Sequence, residues 1–190
     1  MLSQHTSDVN SARAMAGLER RFGTWAEVAE APVEEVADSI RSGGIANIKA
    51  QRIKDILREV EEREGNFDLS RLERLRDSEV DSYLRSLPGV GPKTAACVLL
   101  FSMGRAAFPI DTHVQRVATR LGLLPKGVSG ERAHEILAPR VPSELRYDFH
   151  VELIRHGREV CKPRFPRCSE CAVFDLCAQG LQLLAEGAAR

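Results

Sequence analysis

Four cysteines fall close together near the C-terminus, in CKPRFPRCSECAVFDLC. They are Cys161, Cys168, Cys171 and Cys177, spaced C-x6-C-x2-C-x5-C. So short a spacing lets four thiols surround one metal centre, and such a centre clamps a segment that has little core of its own. Cys168 and Cys171, with two residues between them, make the tight pair of a metal knuckle. A tetrahedral zinc and a cubane [4Fe–4S] cluster both take four thiolates, and the chemistry alone leaves both open. A disulfide framework fits less well, because the N-terminus MLSQHTSDVN lacks the basic and apolar regions of a signal peptide. The expected location is the cytoplasm.

The rest of the chain reads as helix after helix. Asp8 can cap a helix running to about Phe22, with Gly23 ending it. Pro32 suits the first turn of a helix through Arg41, stopped by Gly43 and Gly44. In IANIKAQRIKDILREVEEREG, residues Ile53, Ile56, Leu57 and Val60 form one apolar stripe. Helices are also predicted over 70–76, 78–87, 94–103, 130–137 and 143–158, and in the tail from Cys177. Asp111 can cap a further helix ending at Gly122. No strand alternation occurs, so the predicted fold class is all-α. No apolar run approaches the ~18 residues of a membrane span, so no membrane partner is expected.

Formal net charge is zero, but its distribution is uneven. Residues 1–80 carry 12 Lys+Arg against 16 Asp+Glu, and residues 81–190 carry 15 against 11. The C-terminal part can therefore present a basic face even though the whole chain is neutral.

The stretch LPGVGPKTAACVLL holds the second informative motif. Gly89 and Gly91 suit a tight turn between two helices and leave room for close approach to the backbone. Pro92 suits a first helical position, and the exposed amides of such a turn favour an anion such as phosphate. Lys93 then starts at a helix N-terminus, whose field and partial desolvation both favour the neutral amine. A neutral amine can attack a sugar carbon and form a Schiff base, whereas an ammonium can only reach a phosphate. These residues alone do not separate the two. Asp111, 18 residues on, can be a plain N-cap, or a carboxylate that stabilises a cationic transition state and handles a proton. Cys97, four residues past Lys93, reads as a small buried hydrophobe. His113 and His156 read as structural hydrogen-bonding groups.

LPGVGPKTA, FPIDTHVQRV and RYDFHVELIRHGREVC together resemble the endonuclease III family within the helix-hairpin-helix (HhH-GPD) DNA glycosylase superfamily. The resemblance covers nearly the whole chain. It implies a helical-barrel lobe over 9–122, an iron-sulfur lobe from 1–8 plus 123–190, and a DNA cleft between them. It implies that Lys93 is the Schiff-base nucleophile and Asp111 the activating carboxylate. Leu87, Gly89, Val90 and Gly91 would form the hairpin that holds DNA phosphate, and with it a monovalent cation. The cysteine spacing is similar to the family's [4Fe–4S] signature, so the resemblance favours the cluster over zinc. Lys162, Arg164 and Arg167, between the prolines of KPRFPR, would contact DNA. Gln4 or His5 would fill the gap left by a flipped base.

The implied activity is a bifunctional DNA glycosylase and AP lyase of base excision repair, acting on oxidised pyrimidines. The implied partner is double-stranded DNA carrying a damaged base or an abasic site, bound by a monomer at the nucleoid. A monofunctional glycosylase using water and a non-catalytic iron-sulfur DNA-binding protein are the alternatives. Family members carry roughly one more helix before the segment matching MLSQHTSD, so the resemblance also implies a short N-terminus.

Overall fold

The computed structural model describes residues 1–186 of the chain. Among them the regular structure is ten α-helices, short 3₁₀ turns and one π-helical turn, with no strand. No helix among the described residues is long and apolar enough to cross a membrane. The chain gathers into two compact units, Met1–Gly91 and the residues from Pro92 onward.

The first unit holds α1 (Asp8–Arg21), α2 (Trp25–Glu30), α3 (Val33–Ser39), α4 (Ala46–Glu64) and α5 (Asp77–Arg85). Ser7, not Asp8, caps α1: its backbone is extended and its hydroxyl accepts from the Asn10 amide, while Asp8 is already helical. The expected helix from Pro32 ends early at Ser39, and a 3₁₀ turn, Arg41–Gly43, follows. The predicted helix over 70–76 is only a 3₁₀ turn, Ser70–Arg74. The core is Ala14, Leu18, Phe22, Val28, Val36, Ala37, Ile40, Ala50 and Ile53. Helix α1 meets the end of α3 at backbone contact. A Cβ on Gly17 would stand 2.0 Å from the Ser39 carbonyl oxygen.

Two lysines of α4 are buried, against the usual placement of this residue type. Lys49 Nζ donates to the Leu2 and Gly43 carbonyls, each at 2.8 Å. Lys54 Nζ donates to the Ala29 and Ala31 carbonyls. Burial pushes both amines below the usual lysine range. The carbonyl acceptors compensate by satisfying the donors.

The second unit holds α6 (Pro92–Cys97), α7 (Thr112–Leu121), α8 (Gly130–Leu137), α9 (Arg146–Glu159) and α10 (Ala178–Ala185). Its core is built on Phe108, Val114, Val117, Leu124, Leu137 and Leu153. Helix α7 packs against α9 and α10. Its ends fall where the sequence puts them, with Asp111 as N-cap and Gly122 as a left-handed C-cap. The segment expected as one buried helix over 94–103 is different. After Cys97 the chain widens into a π-turn, Val98–Ser102, closed by the Met103 amide on the Val98 carbonyl at 3.1 Å. Phe101 and Ser102 are exposed, so this segment is buried on one side only.

Candidate functional site

Lys93 stands on the first turn of α6 and is exposed. The expected desolvation of this amine is therefore absent in the free protein. Asp111 is half-buried, and its Oδ1 accepts the Val114 amide at 2.7 Å. Two groups register the amine and the carboxylate together. The half-buried Cys97 thiol is pushed up by burial, with Lys93 pulling it down and Asp111 pushing it up. The buried His150 imidazole is pushed down by burial, with Asp111 opposing that shift and Lys93 adding to it. Coulomb interactions of that kind fade over several ångströms, so both charges lie near the same two side chains.

His150 was not singled out by sequence reasoning. It is 2% exposed, and its Nδ1 lies 2.9 Å from the Pro109 carbonyl. The bond ties α9 to the loop just before Asp111. Burial favours the neutral ring, so Nδ1–H donates to that carbonyl. The signal available in the sequence was a histidine on the apolar side of a helix, which does not reveal its partner.

The glycine turn lies at the end of the first unit. Gly89 has φ +71°, a conformation glycine adopts at little cost. Gly91 is not in that region, and a Cβ there would meet nothing within 4 Å. Leu87 is buried, so only its backbone can face a ligand, and its carbonyl accepts the Val90 amide at 3.1 Å. At the chain start, the half-buried Gln4 and the exposed His5 lie in a turn, His5 with φ +52°. Lys49 holds that turn through the Leu2 carbonyl.

The four clustered cysteines form no disulfide and line one cavity with about 470 Å³ of empty space, partly open to solvent. His156, Arg120 and Leu121 share its wall. Among the described residues no three His, Cys, Asp or Glu side chains are close enough to hold one metal ion. A tetrahedral zinc would draw thiolates to within ~3.8 Å of one another, which this spacing does not provide. The residues fit a bulkier centre that takes one thiolate at each corner. Burial pushes the Cys171 thiol up, and Cys177, Cys161 and Cys168 push it further, so these sulfurs shed their protons together only against positive charge. N–H groups already point at the sulfurs, Arg120 Nη1 at Cys161 Sγ (3.2 Å) and the Gly180 amide at Cys177 Sγ (3.4 Å). His156 Nε2 is 3.7 Å from Cys171 Sγ, which gives it the structural role expected.

The loop between Cys161 and Cys168 is braced by α7. Arg116 donates to the Cys161 and Gly157 carbonyls (3.0 and 2.7 Å), and its Nη2 lies 3.1 Å from His113 Nδ1. Arg120 donates to the Lys162 and Pro163 carbonyls (2.7 and 3.0 Å). Both arginines escaped the sequence reading, because a helix face of cations reads as solvated. Arg167 is engaged locally too, with the Glu159 carbonyl at 2.6 Å and Glu170 at 3.0 Å. Its guanidinium is a brace, unlike the expected free cation. Lys162 and Arg164 are exposed and line an open hollow with His113 and Arg158.

Known proteins share this arrangement. Residues 1–142 match the model of the HhH-GPD superfamily base excision DNA repair protein. Endonuclease III of Escherichia coli is 36% identical over 93% of this chain and 79% of its own length. Endonuclease III of Thermotoga maritima is 36% identical over 93% and 78%. A candidate DNA glycosylase of Arabidopsis thaliana is 39% identical over 83% of the chain, which spans about half, 54%, of that longer protein. Among solved structures, a non-covalent endonuclease III–DNA complex superposes with a TM-score of 0.83 at 28% identity, covering 97% of this chain and 82% of that one. The chain belongs to the endonuclease III family of the HhH-GPD superfamily, the helix-hairpin-helix DNA glycosylases of base excision repair.

Proposed function

We propose that this protein is a bifunctional DNA glycosylase and AP lyase that removes a damaged base, of the oxidised pyrimidine class, from duplex DNA. The observation carrying the proposal is the shared reach of Lys93 and Asp111 onto Cys97 and His150. It supports one amine and one carboxylate acting at a common centre.

The damaged nucleotide leaves the stack, because its glycosidic carbon is unreachable there. Lys93 is exposed in the free protein, so bound DNA rather than burial strips water from its amine. Asp111, held by its cap bond, takes the proton from Lys93 and steadies the electron-poor sugar. The Lys93 nitrogen bonds the anomeric carbon as the base departs with the glycosidic electron pair. Ring opening gives a Schiff base, and loss of a C2′ proton then expels the 3′ phosphate by β-elimination.

Backbone amides of residues 87–91 and the side chains of Lys162 and Arg164 bind phosphates in this reading. Gln4 or His5 fills the vacated space, and a monovalent cation sits at the hairpin. Cys161, Cys168, Cys171 and Cys177 hold a [4Fe–4S] cluster, which supplies a structural clamp for the basic loop. The substrate is chromosomal DNA in the cytoplasm, engaged by a monomer.

Borohydride reduction of the protein on duplex DNA with one abasic site tests the proposal. A covalent adduct lost in Lys93→Ala is the expected result. Base excision without an adduct would assign the attack to water, and neither excision nor adduct would leave a DNA-binding protein.

A further inference from the structure

We infer that Phe101 and Tyr147 form the stacking surface that receives the extruded nucleobase. The inference deepens the proposed function and rests on the reading of Lys93 and Asp111. Phe101 is 48% exposed and Tyr147 is 52% exposed, which is unusual for adjacent aromatic side chains. Their rings meet edge to face, with centroids 5.7 Å apart. Phe101 lies on the π-turn two helical turns past Lys93, with Cys97 between them at steps of four residues. Side chains spaced in that way share one side of a helical segment.

Beneath the pair lies His150. Phe101 packs on it at 5.5 Å and 62°, and Phe108 supports it from the core at 6.1 Å. His150 also bonds the Pro109 carbonyl, two residues before Asp111. One buried ring therefore fixes the aromatic pair and the carboxylate to a common frame. Nothing in the reaction at the sugar uses the exposed aromatic faces. Every nucleobase presents a flat π face, and stacking on an aromatic side chain tolerates many base identities. A ring beside the reacting amine and carboxylate is suited to hold a base whose sugar is under attack. Phosphates are too polar for this surface, and a protein partner would compete with DNA for it.

The test compares two duplexes, one with thymine glycol and one with an abasic site in its place. Phe101→Ala is expected to slow release of thymine glycol by about tenfold to a hundredfold, from the removal of one stacking ring. Borohydride trapping on the abasic duplex is expected to stay within about twofold of wild type, since no base is present to stack. Tyr147→Ala lowers excision less, and Tyr147→Phe restores it. Equal losses on both duplexes, or none on either, overturn the inference.

A second readout is independent of the chemistry. A duplex with one 2-aminopurine mispaired with cytosine is bound by wild type and by Phe101→Ala. Quenching of the probe in wild type, relieved in the variant, is expected; identical fluorescence overturns the inference. Absence of any trapped adduct in wild type, with the fluorescence difference intact, would sink the lyase reading and leave the stacking surface standing.

Discussion

The Asp111 carboxylate accepts the Val114 amide at 2.7 Å. One side chain thus closes the N-terminus of α7 and also bears on the groups around Lys93. Its two roles separate by substitution. Asn caps as well as Asp, so Asp111→Asn is expected to melt within a few degrees of wild type. The same change removes the charge and is expected to slow excision by about 10²- to 10⁴-fold, the range of a general base. Asp111→Ala loses the cap as well, at about 1 kcal/mol. Thermal melts and single-turnover kinetics on the three proteins check both parts.

His150 gives a pH dependence of known sign. Burial holds its ring below the usual imidazole range, with Asp111 opposing. The unfolded chain takes up a proton near pH 6.5, and the folded protein takes it up only at lower pH. Between those values the unfolded state binds more protons, so stability is full above pH 6.5 and declines as pH falls. Denaturant midpoints from pH 8 to pH 5 should show this decline, and His150→Gln should flatten part of it.

Lys49 ties the start of the chain to the Gly43 turn. Lys49→Met keeps the apolar stem and leaves two carbonyls without that donor. A loss of about 1–3 kcal/mol for each buried acceptor left unsatisfied is expected. Denaturant unfolding measures the total, and limited proteolysis shows whether residues 1–6 detach first.

Gly17 leaves no space for a side chain, since its added Cβ would press on the Ser39 carbonyl oxygen. Gly17→Ala forces α1 away from the end of α3 despite alanine's higher helix propensity. A net loss of about 1–3 kcal/mol is expected, the usual cost of overpacking. A variant as stable as wild type would mean that the two backbones can separate freely.

The cysteine cavity predicts a metal-dependent clamp. Cys171→Ser is expected to lower iron and acid-labile sulfide per chain and to reduce the melting temperature. Retention of the basic loop is checked separately, by salt-dependent binding to undamaged duplex. Replacing Lys162 or Arg164 with Ala should lower the slope of log K against log salt by about one for each phosphate left without its cation.

Much of the architecture was legible in local chemistry. The capped and terminated helices, α7 and α8 above all, follow from one polar residue before the helix and a breaking residue or turn after it. Helix α2 was missed because six residues cannot display a period; its reciprocal cap, Thr24 with Glu27 and the Gly23 amide, was the available sign. The buried lysines were invisible for another reason. Their acceptors are carbonyls of segments up to 47 residues away, and backbone acceptors carry no residue signature. Lys93, Asp111 and the four cysteines were picked out by spacing. His150, Arg116 and Arg120, which orient their surroundings, were not, because what defines them is a long-range partner.

The widened turn at Val98–Ser102 sets the angular phase between Lys93 and Phe101. An ordinary α-helix advances about 100° per residue. Deleting one residue from this turn would let the segment relax to α geometry and swing everything after it by roughly that angle. A single codon lost here would leave the helix continuous, yet turn its aromatic ring away from its amine.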